Sequence, residues 1–301
     1  MSADARPALT IPTLARALRL HQWSKNLLVF VPILASHRFT ETALLANAMV
    51  AFATFCLVAS SVYLLNDIID VDDDRRHPSK RFRPIASGMM SVSAARVLAA
   101  LLLIAGLGLA YACLPWQYLA ALAVYYALTL AYSLWIKRVV MLDVITLAML
   151  YTIRVIAGAI ATLQSVTFWL LAFCVFIFLS LAFLKRYTEL KLANADISKA
   201  RYGRGYEPGD VELLASLGTA AGYLSVLVLA LYINDGSSAA IYRSPYWLWP
   251  ACLLLLMWLS RAWLIAHRGQ MPDDPIVFAL RDNPSRLIGI AVIAVFVIAS
   301  L

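Results

Sequence analysis

Long apolar stretches separated by short charged segments constrain this chain more than any other feature. They fall near residues 26–36, 42–65, 92–114, 116–135, 139–161, 166–184, 211–233, 246–266 and 286–301. A helix that crosses a bilayer needs about 20 apolar residues. The pattern therefore predicts an all-α polytopic membrane protein with nine transmembrane helices. Composition agrees: of 301 residues, 62% are hydrophobic and 14% charged, where soluble domains run to about 45–50% and about 25%. That balance excludes a water-soluble enzyme, a disordered chain and a disulfide scaffold.

Charge placement sets the expected topology. The net charge is +8, but the basic residues lie between apolar segments. They point to anionic lipid or an anionic substrate and not to nucleic acid. With the N-terminus in the cytoplasm, only Arg38 and Arg243 of the 25 Lys and Arg residues fall in outer loops, and Arg154 lies within a span. This asymmetry predicts a multi-pass membrane protein with its N-terminus in the cytoplasm. Residues 1–22 read as a tail and an interfacial amphipathic helix, which carries Leu14 and Leu18 together with Arg16, Arg19 and His21. No cleavable leader is visible there, so insertion is expected through the first span. Residues 23–301 read as one transmembrane domain. Cys56, Cys113, Cys174 and Cys252 are far apart and lie in or beside apolar runs, which suits neither a disulfide framework nor a zinc site. The inner loops are long and charged, whereas outer connections such as 115–116 and 162–165 are short. Chemistry is therefore expected on the cytoplasmic side.

The strongest local signal is Asn66-Asp67-Ile68-Ile69-Asp70-Val71-Asp72-Asp73-Asp74. Asn66, Asp70 and Asp74 are spaced i, i+4, i+8, which places their oxygens a turn apart on one helix face. Such oxygens repel one another unless a cation sits among them. A hard, oxygen-seeking ion such as Mg²⁺ suits them, completed by substrate phosphates. Asp67 lies about 100° around the helix and is a candidate supporting group. A basic run follows at once: Arg75, Arg76, His77, Lys80, Arg81 and Arg83. Acids for a metal beside cations for oxyanions is what a diphosphate site requires.

This N-D-x-x-D-x-x-x-D pattern after the second span resembles the first signature of the UbiA superfamily of intramembrane prenyltransferases. The resemblance implies a nine-helix bundle with a central cavity and a cap of cytoplasmic loops. It also implies Mg²⁺ held on the diphosphate of the donor. Most of that superfamily carries a second D-x-x-x-D after the sixth span. Here the corresponding stretch is Lys185-Arg186-Tyr187-Thr188-Glu189-Leu190-Lys191, with a single acid. Fewer acids and more bases favour a donor with an additional phosphate, such as phosphoribosyl pyrophosphate. Four stretches are similar to the decaprenyl-phosphate phosphoribosyltransferase branch. They are Arg19 to Asn26 (R-x-x-Q-W-x-K-N), His77 to Gly88 (containing Lys80, Arg83 and Pro84), Lys185 to Leu190, and Ala279 to Asp282.

The resemblance implies transfer of 5-phosphoribose to a polyprenyl phosphate. Asn66, Asp70 and Asp74 would hold Mg²⁺ on the pyrophosphate, with Asp70, Asp74, Lys185 and Glu189 the catalytic set. Lys80, Arg83, Lys185 and Arg186 would bind phosphate oxygens, and Tyr187 would donate to one. Glu189 would take a ribose hydroxyl or the metal. Arg281, in the last inner loop, is assigned to substrate, and Lys25 to the lipid phosphate. A homotrimer is the implied assembly. Blander readings stand beside these. Lys25 would snorkel, Gln22 and Trp23 would form an interface belt, Arg75, Arg76 and Arg81 would serve topology alone, and Tyr125 and Tyr151 would only pack. Arg154 is expected to pair with Asp143 or with a helix carbonyl. The glycines at 203–209 read as a lid and not as a phosphate cradle. Two other functions compete: prenyl transfer from a prenyl diphosphate to an aromatic or other acceptor, and a transporter or lipid carrier.

Overall fold

The computed structural model describes residues 10–78, 80–195, 205–272 and 274–301. The described residues form helices and turns without a strand, and eight helices are long and apolar enough to cross a membrane. By Cα packing the chain falls into two compact units.

The first unit comprises residues up to Ser133 together with Arg154–Ser165. It opens on α1 (Ile11–Ala17), a short helix capped by the Thr10 hydroxyl. A 3₁₀ segment (Leu20–Phe30) and α2 (Val31–Ala35) follow. The expected first span at 26–36 is therefore not a long α-helix. At about 2.0 Å per residue the 3₁₀ segment reaches roughly 22 Å, and α2 adds about 7 Å. Together they match a bilayer core of about 30 Å with fewer residues than an α-helix needs. α3 (Thr42–Ile69), α4 (Val71–Arg76), α5 (Val92–Cys113) and α6 (Trp116–Leu134) complete the run.

α3 is the core of this unit. Small residues let its neighbours approach closely, as membrane packing requires. Ala48, Ala51, Ala59, Ala95, Ala99 and Ala110 are all buried, and Ser61 donates to the Ala99 carbonyl at 2.8 Å, tying α3 to α5. α7 (Leu142–Ala161) contributes its second part, from Arg154, to the same unit. There Gly158 lies against the 3₁₀ segment so tightly that an added Cβ would sit 2.1 Å from the Val29 carbonyl oxygen.

The second unit comprises Leu134–Ile153 and Val166–Leu301. It holds the first part of α7, then α8 (Phe168–Ala195), α9 (Val211–Ile233), α10 (Gly236–Ala239), α11 (Trp249–His267), α12 (Pro275–Arg281) and α13 (Asn283–Ser300). The expected span at 286–301 is confirmed as α13. Gly218 of α9 faces the Trp263 ring, where a Cβ would come within 2.3 Å. Its carbonyl accepts from Ser180 at 2.7 Å, and Ser180 accepts from the Trp263 indole at 3.3 Å. Asp282 caps α13 through the Ser285 N–H at 2.8 Å and grips Arg261 at 2.6 and 3.0 Å. Those hydrogen bonds from Arg261 hold its carboxyl down at about 2.

Two helices overrun the bilayer. α3 and α8 each have 28 residues, about 42 Å at 1.5 Å per residue, against a core of about 30 Å. The surplus carries Asn66 at the end of one and Lys185 to Lys191 at the end of the other.

Gly158→Ala is expected to destabilise the protein in detergent by about 1–3 kcal/mol, because backbone must move to admit the methyl group. Gly108, on α5 with nothing within 4 Å of an added Cβ, should tolerate alanine or gain up to about 1 kcal/mol. Thermal unfolding of the two variants beside the parent checks the pair. Equal melting temperatures would remove the close-approach argument.

Candidate active site

The acidic motif sits where α3 gives way to α4. Asp70 stands at the joint with φ −92° and ψ 11°, yet the hydrogen bonding of a helix continues through it. Asp70 N–H donates to the Asn66 carbonyl at 2.9 Å, and Asp74 N–H to the Asp70 carbonyl at 2.8 Å. The one-turn stacking of Asn66, Asp70 and Asp74 expected from their spacing therefore survives the break.

Charges knot this motif to segments far along the chain. Asp67 is 2% exposed. Its carboxylate accepts from Arg19 and, at 3.2 Å, from Arg83. Arg83 also donates to Asp74 Oδ2 at 2.6 Å. Arg19 has left-handed backbone (φ 51°), and its guanidinium lies 5.1 Å from the Tyr63 ring centroid. Asp67 is thus an anchor for two arginines. Arg19, whose expected role was topology and a place in the Arg19–Asn26 motif, is one of them. Among the described residues Arg75 pairs with exposed Asp72 at 3.1 Å, and Arg76 and Arg81 are exposed. Lys80 is half-buried in a 3₁₀ turn, its N–H on His77 Nδ1 at 3.3 Å.

The donor set suits a divalent ion that keeps outside ligands. Asn66 Oδ1 is buried and has no hydrogen-bond partner among the described residues, an uncommon cost for an amide oxygen. Asp70 and Asp74 lie one and two turns beyond it. Among the described residues no three His, Cys, Asp or Glu groups converge on one point. An ion here would draw on Asn66, on these carboxylates and on oxygens of water or substrate, the habit of Mg²⁺.

In the same unit, Lys25 and Asn26 are buried in the 3₁₀ segment, which does not suit a snorkelling Lys25. Trp23 donates from its indole to Ser60 at 3.0 Å, and Ser60 donates to the Leu18 carbonyl. Trp23 therefore fastens the segment to α3 and does not merely mark an interface. Arg154 was expected to pair with Asp143 or with a helix carbonyl; the partners it shows are others. Arg154 donates instead to Asn26 Oδ1 at 3.0 Å and to the Tyr125 hydroxyl at 2.9 Å, with its guanidinium 4.7 Å from the Tyr125 centroid. Tyr125 is hence a polar partner as well as a packing residue.

In the second unit, Asp143 is wholly buried and belongs to Arg186. Arg186 Nε lies 2.7 Å from Asp143 Oδ2, and the same guanidinium donates to Glu189. Tyr206 donates to Asp143 Oδ1 at 2.7 Å and accepts from the Met141 N–H at 3.0 Å. Burial and the neighbouring Asp143 push the Tyr206 hydroxyl well above its ordinary pKa, which keeps it a donor. Gly205 precedes it with φ +74° beside Val140. Lys185 and Glu189 share a face of α8 and are partly exposed. Tyr187 turns elsewhere, to His267 Nδ1 at 3.2 Å and Lys191 at 3.5 Å, lining a groove of about 310 Å³ with Trp263 and Ser260. Arg281 is exposed at the end of α12. Ser79, Gly203 and the basic residues Arg6, Lys199, Arg201 and Arg204 lie outside the described residues.

Comparison with known proteins shows the family of the chain. The sequence profile of the UbiA prenyltransferase family matches residues 27–282. A nodulation protein, NoeC, of Azorhizobium caulinodans is 40% identical over 94% of this chain and 92% of its own length. A decaprenyl-phosphate phosphoribosyltransferase of Mycobacterium tuberculosis is 32% identical over 96% and 94% of the two chains. The uncharacterized protein y4nM of Sinorhizobium fredii is 38% identical over 94% of this chain, which spans only 55% of that longer protein. Among solved structures, a UbiA homolog from Archaeoglobus fulgidus bound to GPP and Mg²⁺ superposes with a TM-score of 0.73. It is 18% identical, over 95% of this chain and 99% of that one.

Asp143→Ala should leave the Arg186 charge buried with half its support, at a cost of about 3–5 kcal/mol. The double variant Asp143→Leu with Arg186→Leu should recover most of that loss. Melting curves in detergent read both. A single variant as stable as the parent would show that the pair carries no weight.

Proposed function

Because the chain belongs to the UbiA prenyltransferase family, we propose that it is a membrane transferase moving 5-phosphoribose from phosphoribosyl pyrophosphate to a polyprenyl phosphate. The reaction would run at the cytoplasmic face of a bacterial cytoplasmic membrane. The observation that carries this reading is the end of α8, where Glu189 is the single acid among Lys185, Arg186 and Lys191. A donor with one diphosphate calls for metal-binding acids. A donor with a further phosphate calls for cations as well. Relatives at 32–40% identity that carry the phosphoribosyltransferase name support the same choice.

Asn66, Asp70 and Asp74 would hold Mg²⁺, which when bound neutralises charge on the pyrophosphate. Arg83 and Lys80 take up oxygens that the ion leaves uncovered, Arg83 through its planar fork. Lys185 serves a phosphate oxygen, and Glu189, steadied by Arg186, accepts from a ribose hydroxyl. Asp143 and Tyr206 keep Arg186 in place. Stabilisation of charge as the carbon–oxygen bond breaks is the main task, and an acceptor that is already an anion needs no general base. Lys25 would receive the lipid phosphate, with the apolar face of the 3₁₀ segment beside its chain.

Purified full-length protein in nanodiscs with Mg²⁺ should label decaprenyl phosphate from radiolabelled phosphoribosyl pyrophosphate. Chelation of the metal should stop the reaction. Asp70→Asn should lower turnover by about 10²–10³-fold while the protein still melts cooperatively. Product formed only from a prenyl diphosphate and 4-hydroxybenzoate would overturn the proposal in favour of prenyl transfer. No product in either assay would return the carrier reading.

A further inference from the structure

Resting on the metal and pyrophosphate reading above, we propose that Arg83 competes with the divalent ion for Asp74, so that ion and pyrophosphate enter by exchange. Asp74 passes from the guanidinium to the ion, and Arg83 passes from Asp74 to a phosphate oxygen.

Four observations carry this. First, Arg83 Nη1 is 2.6 Å from Asp74 Oδ2, and Asp74 is only 3% exposed. The Oδ2 oxygen that the guanidinium holds is closed to an ion while Arg83 keeps its place. Second, the Arg83 side chain is 27% exposed, so it has room to turn. Third, its backbone is held: Arg83 N–H donates to the Lys80 carbonyl at 2.9 Å, and its own carbonyl accepts from Ser87 N–H at 2.9 Å. The movement is confined to the side chain. Fourth, Asp67 is bound independently by Arg19, so it keeps a cationic partner when Arg83 leaves.

Charge matching explains why the exchange must be joint. Within the knot, the carboxylates of Asp67 and Asp74 already meet the guanidinium groups of Arg19 and Arg83. A bare divalent ion brings two positive charges against one further carboxylate, Asp70, and displaces Arg83 into the open. An ion that arrives with pyrophosphate offers the displaced arginine an oxyanion, which its fork suits well. By linkage, whatever Arg83 adds to the coupling of ion and pyrophosphate is the same in both directions.

The test is binding of two probes to the purified full-length protein, without turnover. Mn²⁺ alone is titrated by electron paramagnetic resonance, and the preformed Mg²⁺–pyrophosphate complex by calorimetry. Arg83→Gln is expected to bind Mn²⁺ about fivefold or more tightly than the parent. The same variant is expected to bind the complex about tenfold more weakly. Opposite signs in the two titrations are a readout that a purely structural role would not produce. Arg83→Lys, which keeps charge without the fork, should fall between parent and Gln in both. Equal or weaker Mn²⁺ binding by Arg83→Gln, with complex binding by the parent intact, would overturn the exchange and leave the proposed function standing. Loss of both titrations in the Gln and Lys variants alike would also overturn it. A parent protein that takes up neither probe would strike the metal reading itself.

Discussion

Everything at the C-terminal end of α3 depends on one buried carboxylate. Asp67 lies at the edge of a membrane helix, where an ion without a partner is expensive. The chain answers with two arginines, Arg19 from 48 residues earlier and Arg83 from 16 residues later. The pairing therefore does more than neutralise a charge. It fastens the leading 3₁₀ segment and the basic loop to the helix that carries Asn66, and it brings Arg83 onto Asp74. Breaking such a pair costs more than never having built it, so the three segments are held in register.

Length produces the polar ends. A bilayer accepts about 30 Å of apolar helix, and α3 and α8 exceed it by several residues each. Side chains in the surplus meet water and charge, while their backbones stay as rigid as the spans below them. Each unit thus presents part of its polar cluster from the end of a long helix, Asn66 in one and Lys185, Arg186 and Glu189 in the other. In the first unit the cluster is rich in acid. In the second, Arg186 is buried between Asp143 and Glu189, and Lys185 remains partly exposed.

Much of the architecture was legible in the sequence, for physical reasons that also explain what was not. Hydropathy finds α-helices of about 20 residues, and eight of the nine expected spans are such helices. The first is not, because a 3₁₀ segment gains length with fewer residues and so presents too short an apolar run. The stacking of Asn66, Asp70 and Asp74 follows from local hydrogen bonding, which spacing reports faithfully even across the joint at Asp70. Side-chain partners from distant segments carry no such local mark. Arg154 and Asp143 share α7 and invite pairing on paper. In the fold each meets a residue of another segment, Asn26 and Arg186. Tyr206 gave no signal at all, since a lone tyrosine after a glycine has many uses. Arg19 did carry one, as the first residue of the motif that runs to Asn26, but its acid lies 48 residues away.

Anomalous scattering from Mn²⁺ in crystals grown with pyrophosphate tests the central assignment most directly. A single strong peak bounded by the side-chain oxygens of Asn66, Asp70 and Asp74 is the expected result. A map with no peak there, or with density only beside the exposed Asp72 and Asp73, would contradict it.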